Sequence, residues 1–529
     1  MPTIGDVTYE LLRAHGLTTI FGNPGSNELP FLAGMPEDFR YILGLHEGAV
    51  LGMADGYAQA LGAPALVNLH AAAGTGNAMG ALTNAVNSHT PLIVTAGQQV
   101  RSTIGQEVML AITEPGNLTR PLTKWSYEPA CAQDVPRAMG QAVHLASLPP
   151  RGPVFLSVPY DDWANEATTD SAHVASRRIA AGHCLSPDQL TEIAEVLDGA
   201  RSPALVLGPQ VDADGGNADA VSLADALGAP VWIAPSPSRC PFPTRHRSFR
   251  GPLPTTVEGV SAALVEHDVI LVVGAPAFRY HQFGPGEYLP SGARLLHITG
   301  DPGEAARAPV GDAFVGGVGD ALARLAAAVK PGQRALLPDL PDFPVPAASS
   351  PGRVQPAELF AQLRKLAPRD AVWVKESTST SGDFWAHADL DQQGSFYFPA
   401  AGGLGFGLPA AVGVQLATPE RRTIALVGDG SANYGITALW TAARYGIPVI
   451  FIILKNGTYG ALRWFADVLD VGDVPGMDVP GIDFSRLAEG YGVSATSVRT
   501  VPEFSAAFRA ALAGVRPTLI EVETALSAP

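Results

Sequence analysis

Residues Ile424–Gly460 read IALVGDGSANYGITALWTAARYGIPVIFIILKNGTYG. Two apolar, β-branched runs, Ile424–Val427 and Val449–Leu454, predict buried parallel strands. Between them Ile436–Ala443 has helical spacing and stops at Gly446-Ile447-Pro448. The unit is βαβ. Its first strand ends in Gly428-Asp429-Gly430-Ser431 and its second in Asn456-Gly457-Thr458. Neighbouring parallel strands bring both polar ends to one sheet edge, where open α/β sheets bind ligands. Glycines there admit a diphosphate close to the backbone, and the following helix offers its positive N-terminus. Asp429 and Asn456 supply oxygen ligands of the kind Mg²⁺ takes, with phosphate and water completing the shell.

The chain around this unit has 529 residues, more than one core holds, so several domains are expected. With 47% hydrophobic and 16% charged residues it should be well buried and oligomeric. A formal charge of −16 argues against nucleic acid or an anionic membrane as partner. No stretch resembles a signal peptide or an apolar membrane span. Cys131, Cys184 and Cys240 are scattered without metal-ligand spacing, and read as buried free thiols in a reducing cytoplasm.

Three α/β parts follow from the pattern. The first, 1–175, alternates a helix at Thr8–Ala14, a strand at Thr19–Phe21 and a turn-rich loop Gly22–Asn27. Then come a strand at Tyr41–Leu43, a helix at Glu47–Ala60 and a strand at Ala65–Leu69 ending at His70. A small-residue turn, Ala71–Gly80, opens a helix, and Leu92–Val94 and Val154–Pro159 complete a parallel sheet. The second part, 176–340, follows a polar link around Asn165–Arg178. It has strand candidates at Ala204–Gly208, Val231–Ala234, Val269–Gly274 and Leu295–Ile298, a smaller Rossmann-like sheet without a dinucleotide fingerprint. A Pro/Ala/Ser linker, Pro338–Pro351, opens the third part, 341–529. There Ala371–Lys375, the Ile424–Gly460 unit and Thr518–Val522 supply strands. The fold class is thus α/β, three doubly wound parallel-sheet domains.

Single residues are ambiguous. Gly402–Gly407 is as good a tight turn as a cofactor loop; no acid ends a strand at the distance a nicotinamide site needs, and no P-loop is present. Glu47 fits a helix-start carboxylate held by the dipole. His70 fits a satisfied core histidine, His281 a surface histidine and Ser26 a turn residue. His89 reads as structural, and Asp55 as a solvated or capping group.

In combination they say more. Gly428-Asp429-Gly430, followed after 24 residues by Lys455-Asn456, resembles the thiamine diphosphate motif of GDG and a downstream NN pair. The early glutamate and three α/β domains in this order also match that family. The likeness narrows further. FGNPGSNELPF (Phe21–Phe31), NLHAAAGTGNAMG (Asn68–Gly80), TAGQQ (Thr95–Gln99) and PFPTRH (Pro241–His246) resemble the benzoylformate decarboxylases. So do FRYHQ (Phe278–Gln282), ESTST (Glu376–Thr380), AAGGLGF (Ala400–Phe406) and GTYGALRWF (Gly457–Phe465), and the resemblance spans essentially the whole chain.

That resemblance implies a pyrimidine-binding, a central and a diphosphate-binding domain. It also implies non-oxidative decarboxylation of an aromatic 2-oxo acid, benzoylformate to benzaldehyde, through a thiamine diphosphate ylide and enamine. Mg²⁺, for which Ca²⁺ could substitute, would be held by the side chains of Asp429 and Asn456 and the carbonyl of Thr458. Leu404 would fold the cofactor, with Thr378, Ser379, Gly402, Gly428, Gly430, Ser431, Tyr459 and Gly460 around it. Glu47 of a second subunit would hydrogen-bond the pyrimidine. Ser26 would bind the substrate carboxylate, and His70 and His281 would relay protons. Met109, Leu110, Thr378, Phe398, Ala461, Leu462 and Phe465 would surround the substrate side chain. Asn117, with the carbonyls of Leu118 and Arg120, matches a second, structural metal position, or is a plain surface turn. Shared sites imply at least a dimer and, by the family, a cytoplasmic tetramer. Two departures stand out: Lys455 replaces the first Asn of the NN pair, adding a charge contact to the diphosphate or pointing to solvent, and Pro399 follows Phe398 where a small residue is expected. A carboligase or lyase of the same cofactor, and a catalytically silent scaffold, remain open alternatives.

Overall fold

In the computed structural model, which describes residues 1–168, 173, 177–180, 182, 184–282, 284–332, 334–348 and 352–527, the apolar runs form three six-stranded parallel sheets. The first has the order Arg40–Leu43, Thr19–Gly22, Ala65–Leu69, Leu92–Gln98, Val154–Pro159, Ser126–Tyr127. The second runs Asp312–Val315, Arg294–Thr299, Val269–Val273, Pro203–Leu207, Val231–Ile233, Phe249–Pro252. The third runs Phe396–Tyr397, Val372–Glu376, Thr423–Gly428, Ile450–Lys455, Thr518–Glu523, Ser494–Val498. The division at 175/176 and the end of the Pro338–Pro351 linker lie outside the described residues, and the domain limits remain our proposal.

The central strands are the expected apolar runs, each buried throughout or nearly so. The strands absent from the sequence reading, such as Ser126–Tyr127, Phe249–Pro252 and Ser494–Val498, lie at sheet edges and are short or half-polar. An edge strand buries one flank, so its sequence carries little signal. Two helix starts also differ. Ala71–Asn87 is helical from its first residue rather than after a turn. The Gly428–Ser431 segment is not a loop: a helix begins at Asp429 and runs to Gly435, with Gly428 extended at its cap and the Asp429 carboxylate in its positive first turn. A second helix, Ala438–Tyr445, ends on left-handed Gly446 as expected.

The first and third parts are joined through two helices, Glu47–Leu61 and Gly407–Ala417. Their backbones touch: a Cβ at Gly56 would fall on the Ala410 carbonyl, and one at Gly413 on the Met53 carbonyl. Both helices are apolar nearly all round, as a helix enclosed between two sheets must be.

Where the three parts meet, Arg239 is 6% exposed. Its Nε donates to Asp212 Oδ2 at 2.8 Å, its Nη1 to the Gln59 carbonyl at 3.3 Å, and its guanidinium lies 4.8 Å from the Tyr397 ring centroid. Asp55 corrects the sequence reading here. It is fully buried, not solvated, and its Oδ1 accepts from Gln59 Nε2 at 2.9 Å and Thr90 Oγ1 at 2.6 Å. Burial raises its pKa to about 6. The cysteines are free, but Cys131 and Cys184 are exposed and only Cys240 is buried. Among the described residues no helix is long and apolar enough to cross a membrane.

Candidate active site

One group of functional side chains sits at the carboxyl edge of the first sheet. Glu47 begins its helix and is 7% exposed. Asn23 Nδ2 donates to its Oε1 at 3.1 Å and Asn77 Nδ2 to its Oε2 at 3.0 Å, which fix the carboxylate without neutralising it. Gly74 faces it closely, leaving no room for a side chain between.

Beside it stands a residue that the sequence reading passed over. Glu28, 1% exposed, accepts from the backbone N–H of Gly97 at 2.8 Å, Gly25 at 2.9 Å and Ala71 at 3.2 Å. Its Oε2 lies 2.9 Å from His70 Nδ1. A carboxylate only accepts, so Nδ1 carries the proton and Nε2 is the acceptor nitrogen. Ser26 is exposed on the same loop, its Oγ 3.4 Å from Asn27 Oδ1. Only its place inside Phe21–Phe31 could have drawn notice to Glu28.

The other group lies at the edge of the third sheet. Register pairs Gly428 with Leu454, so Asp429 and Asn456 leave adjacent strands side by side. Asp429 Oδ2 accepts from Gly457 N at 2.7 Å and Asn456 N at 3.1 Å, and Oδ1 from Gly430 N at 2.9 Å. Burial nevertheless raises its pKa above the ordinary carboxylate value. Asn456 Oδ1 accepts from Thr458 N at 3.0 Å and the Thr458 carbonyl from Gly460 N at 3.0 Å. Tyr459 packs over Gly430, where a Cβ would stand 2.6 Å from its ring. Ser431 and Ser379 are buried nearby and Thr378 is half-buried in the turn after Val372–Glu376.

Thiamine diphosphate and a dication fit this edge. The side-chain oxygens of Asp429 and Asn456 and the Thr458 carbonyl, all on this edge, keep unused acceptor capacity. Among the described residues no cationic side chain pairs with buried Asp429, so a metal would supply the missing charge.

Leu404 is 36% exposed on a loop pinned at both ends. Asn84 bonds the Ala401 and Gly403 backbone at 2.9–3.2 Å. Buried Glu376 accepts from Gly405, Phe406 and Gly407 N–H at 2.7–3.3 Å, and burial pushes its pKa up to about 7. Gly402 and Gly405 take φ of 74° and 98°, which only glycine adopts readily.

The structure brings His281 to the third part: its ring meets that of Phe465 edge-on at 4.9 Å. Phe465, Ala461 and Leu462 share the helix Gly460–Val468, and Phe398 is half-buried and packed against the core. Met109 (85% exposed) and Leu110 lie on a loop of the first part. Lys455 does neither of the things expected of it. Its Nζ lies 3.1 Å from Glu521 and 3.4 Å from Glu523 on the neighbouring strand. Burial works against its charge, but the two carboxylates outweigh this and hold its pKa above the usual value. Pro399 is buried and Phe398 N donates to the Ser238 carbonyl at 3.0 Å. Asn117 is exposed at the end of a short turn, its Nδ2 donating to Glu114 Oε2 at 2.9 Å; Leu118 and Arg120 flank it, and Arg120 N donates to the Asn117 carbonyl at 3.1 Å.

The N-terminal TPP binding, central and C-terminal TPP binding domains of the thiamine pyrophosphate enzymes match residues 2–114, 190–325 and 377–522. A benzoylformate decarboxylase of Pseudomonas aeruginosa is 61% identical over 524 residues, 99% of each chain. The chain belongs to the thiamine pyrophosphate enzymes, on the benzoylformate decarboxylase branch. Among solved structures, the thiamine diphosphate-dependent 4-hydroxybenzoylformate decarboxylase of Rhodococcus jostii superposes with a TM-score of 0.98 at 64% identity, covering 99% of both chains. A benzoylformate decarboxylase of Polynucleobacter necessarius does so with 0.97 at 35% identity over the full length of both. The family's cofactor is thus thiamine diphosphate, and the edge carrying Asp429 and Asn456 lies within its C-terminal binding domain.

Proposed function

We propose that this protein decarboxylates an aromatic 2-oxo acid, benzoylformate or a ring-substituted relative, to the aldehyde and carbon dioxide. The observation that carries this reading is the pair of half-buried His70 and buried Glu28, set beside Ser26 and Glu47 on one sheet edge. The relatives' activities support it. Thiamine diphosphate, when bound, supplies a nucleophilic carbon for the keto group and an electron sink for the departing carboxylate.

The chain's own residues do the rest. Asp429, Asn456 and the Thr458 carbonyl would hold Mg²⁺ or Ca²⁺, which would supply positive charge for the diphosphate. Leu404, on its pinned loop, supports the cofactor from below. Glu47 holds a proton at the pyrimidine nitrogen. Ser26 Oγ binds the substrate carboxylate. His70 Nε2 delivers and removes protons while Glu28 keeps its tautomer fixed, and His281 shares that work from the far side. Phe398 and Phe465 offer ring faces to an aryl group, with Leu110, Met109, Ala461 and Leu462 closing the pocket.

We place Glu47 in the site of a second subunit. In support, apolar Met109 (85% exposed), Leu404 (36%) and Leu462 (48%) stand open on the single chain beside the two half-sites. A dimer is the minimum and a tetramer of two dimers our expectation, in the cytoplasm, where free Cys131 and Cys184 stay reduced. The Asn117 turn is kept as a second metal position. The test is direct: the purified chain with thiamine diphosphate and Mg²⁺ should release carbon dioxide and benzaldehyde from benzoylformate. Aldehyde condensation without carbon dioxide release, or no bound cofactor after reconstitution, would overturn the reading. An active monomer in light scattering would overturn the shared site.

A further inference from the structure

Lys375 is 1% exposed, one of the largest fully buried side chains in the molecule. It is the fourth residue of the strand Val372–Glu376, directly before Glu376 and the Thr378 turn. Its Nζ donates to the Ser377 carbonyl at 2.7 Å and to Ser381 Oγ at 2.9 Å. No carboxylate bonds to it among the described residues; Asp383 acts on it only through space. What does face it is aromatic. Nζ lies over the Phe398 ring, 5.6 Å from its centroid, and 5.8 Å from that of Phe384. Burial lowers its pKa to about 7, and the ammonium form takes such faces as its negative partner. Phe384 is 4% exposed, but Phe398 is only half-buried.

A cation on one face of a benzene ring draws π density towards itself. The opposite face becomes electron-poor and stacks best on an electron-rich partner. We propose that Lys375 is a specificity-determining residue, acting through Phe398 to bias the aryl pocket towards electron-rich rings such as those bearing a 4-hydroxyl or 4-alkoxy group. The proposal rests on the reading of Phe398 as a wall of the substrate pocket and of the reaction as aryl 2-oxo acid decarboxylation.

The experiment is a series of 4-hydroxy-, unsubstituted and 4-nitrobenzoylformate, with KM and kcat read separately, on the wild-type holoenzyme and on Lys375→Met and Lys375→Arg. In the wild type, KM should rise from the 4-hydroxy to the 4-nitro substrate. Lys375→Met should flatten that order about three- to fivefold, the size of one partly desolvated cation–π contact, while Lys375→Arg preserves it. If Lys375→Met does not fold, Phe398→Leu, which removes the ring and keeps the charge, should flatten the order as well. An unchanged order in Lys375→Met or in Phe398→Leu, or a uniform rise of all KM values, would overturn the role of Lys375 while leaving the decarboxylase reading intact. Absence of turnover with every aryl 2-oxo acid would overturn the functional reading and, with it, this one.

Discussion

Gly25 lies against the imidazole of His70, so that a Cβ at position 25 would fall inside the ring. One hydrogen bond, from Nδ1 to Glu28, sets the position of the His70 ring, while Glu28 itself is held by three backbone amides. Gly25→Ala should therefore displace the ring rather than unfold the loop. Misplacing a proton donor by about an ångström costs on the order of a hundredfold. We expect kcat to fall by about that factor with thiamine diphosphate affinity unchanged, measured by steady-state kinetics beside cofactor titration. Near-normal kcat would mean that His70 is not the proton donor.

Glu47→Gln keeps the size and one of the two Asn contacts while removing the acid; the other Asn amide must turn over to present its oxygen. Loss of general acid–base help is worth about 10² to 10⁴ in rate, so turnover should drop by at least a hundredfold with the fold retained in circular dichroism. Turnover like the wild type's would remove Glu47 from cofactor activation.

Lys455→Met separates cofactor binding from stability. The lysine is 20% and Glu521 4% exposed, and Glu521 also accepts from Phe484 N and Ser497 Oγ. Removing the cation leaves a buried carboxylate unpaired, which costs about 3 kcal/mol. The melting temperature should fall by several degrees, with the dissociation constant for thiamine diphosphate within about threefold of wild type. The opposite pattern, a stable protein with weak cofactor binding, would put Lys455 on the diphosphate after all.

Asp55 has a pH signature. Its pKa is raised to about 6 in the folded chain by burial, above that of an exposed aspartate. A raised acid binds its proton more tightly when folded. Its contribution is fully present below about pH 4, and is lost as pH rises through about 6. In Asp55→Asn, whose Oδ1 can still accept from Gln59 and Thr90, that component disappears. The melting temperature of the variant relative to wild type should climb between about pH 4 and 6.5, roughly spanning the two pKa values. A flat difference across this range would mean that Asp55 does not titrate there.

Much of the fold was legible because buried strands announce themselves. Ala65–Leu69 and Ile450–Lys455 are apolar on both faces, and Gly446 marks a helix end by its left-handed backbone. The edge that carries Asp429 and Asn456 was legible for the same reason, since strand register brings the two side by side. Glu28, Asn23 and Asn77 were not. Each works through a contact with a residue 24 to 69 positions away, and nothing local distinguishes them from ordinary loop polar groups. Lys455 and Asp55 were misread for one shared reason. A charged residue in sequence suggests solvent or a ligand, whereas here a neighbouring strand and a domain junction supply the partners.

The contacts of Gly56 on Ala410 and Gly413 on Met53 bear on modularity. Three sheets suggest three parts that could be recombined at will. Yet the helix headed by Glu47 and the helix behind the Leu404 loop are fitted backbone to backbone at Gly56 and Gly413, where no side chain stands between them to absorb a mismatch. A chimera taking its diphosphate-binding part from a relative must bring both helices from one parent. Substrate preference is better re-engineered on the separate Gly460–Val468 helix, which does not take part in that joint.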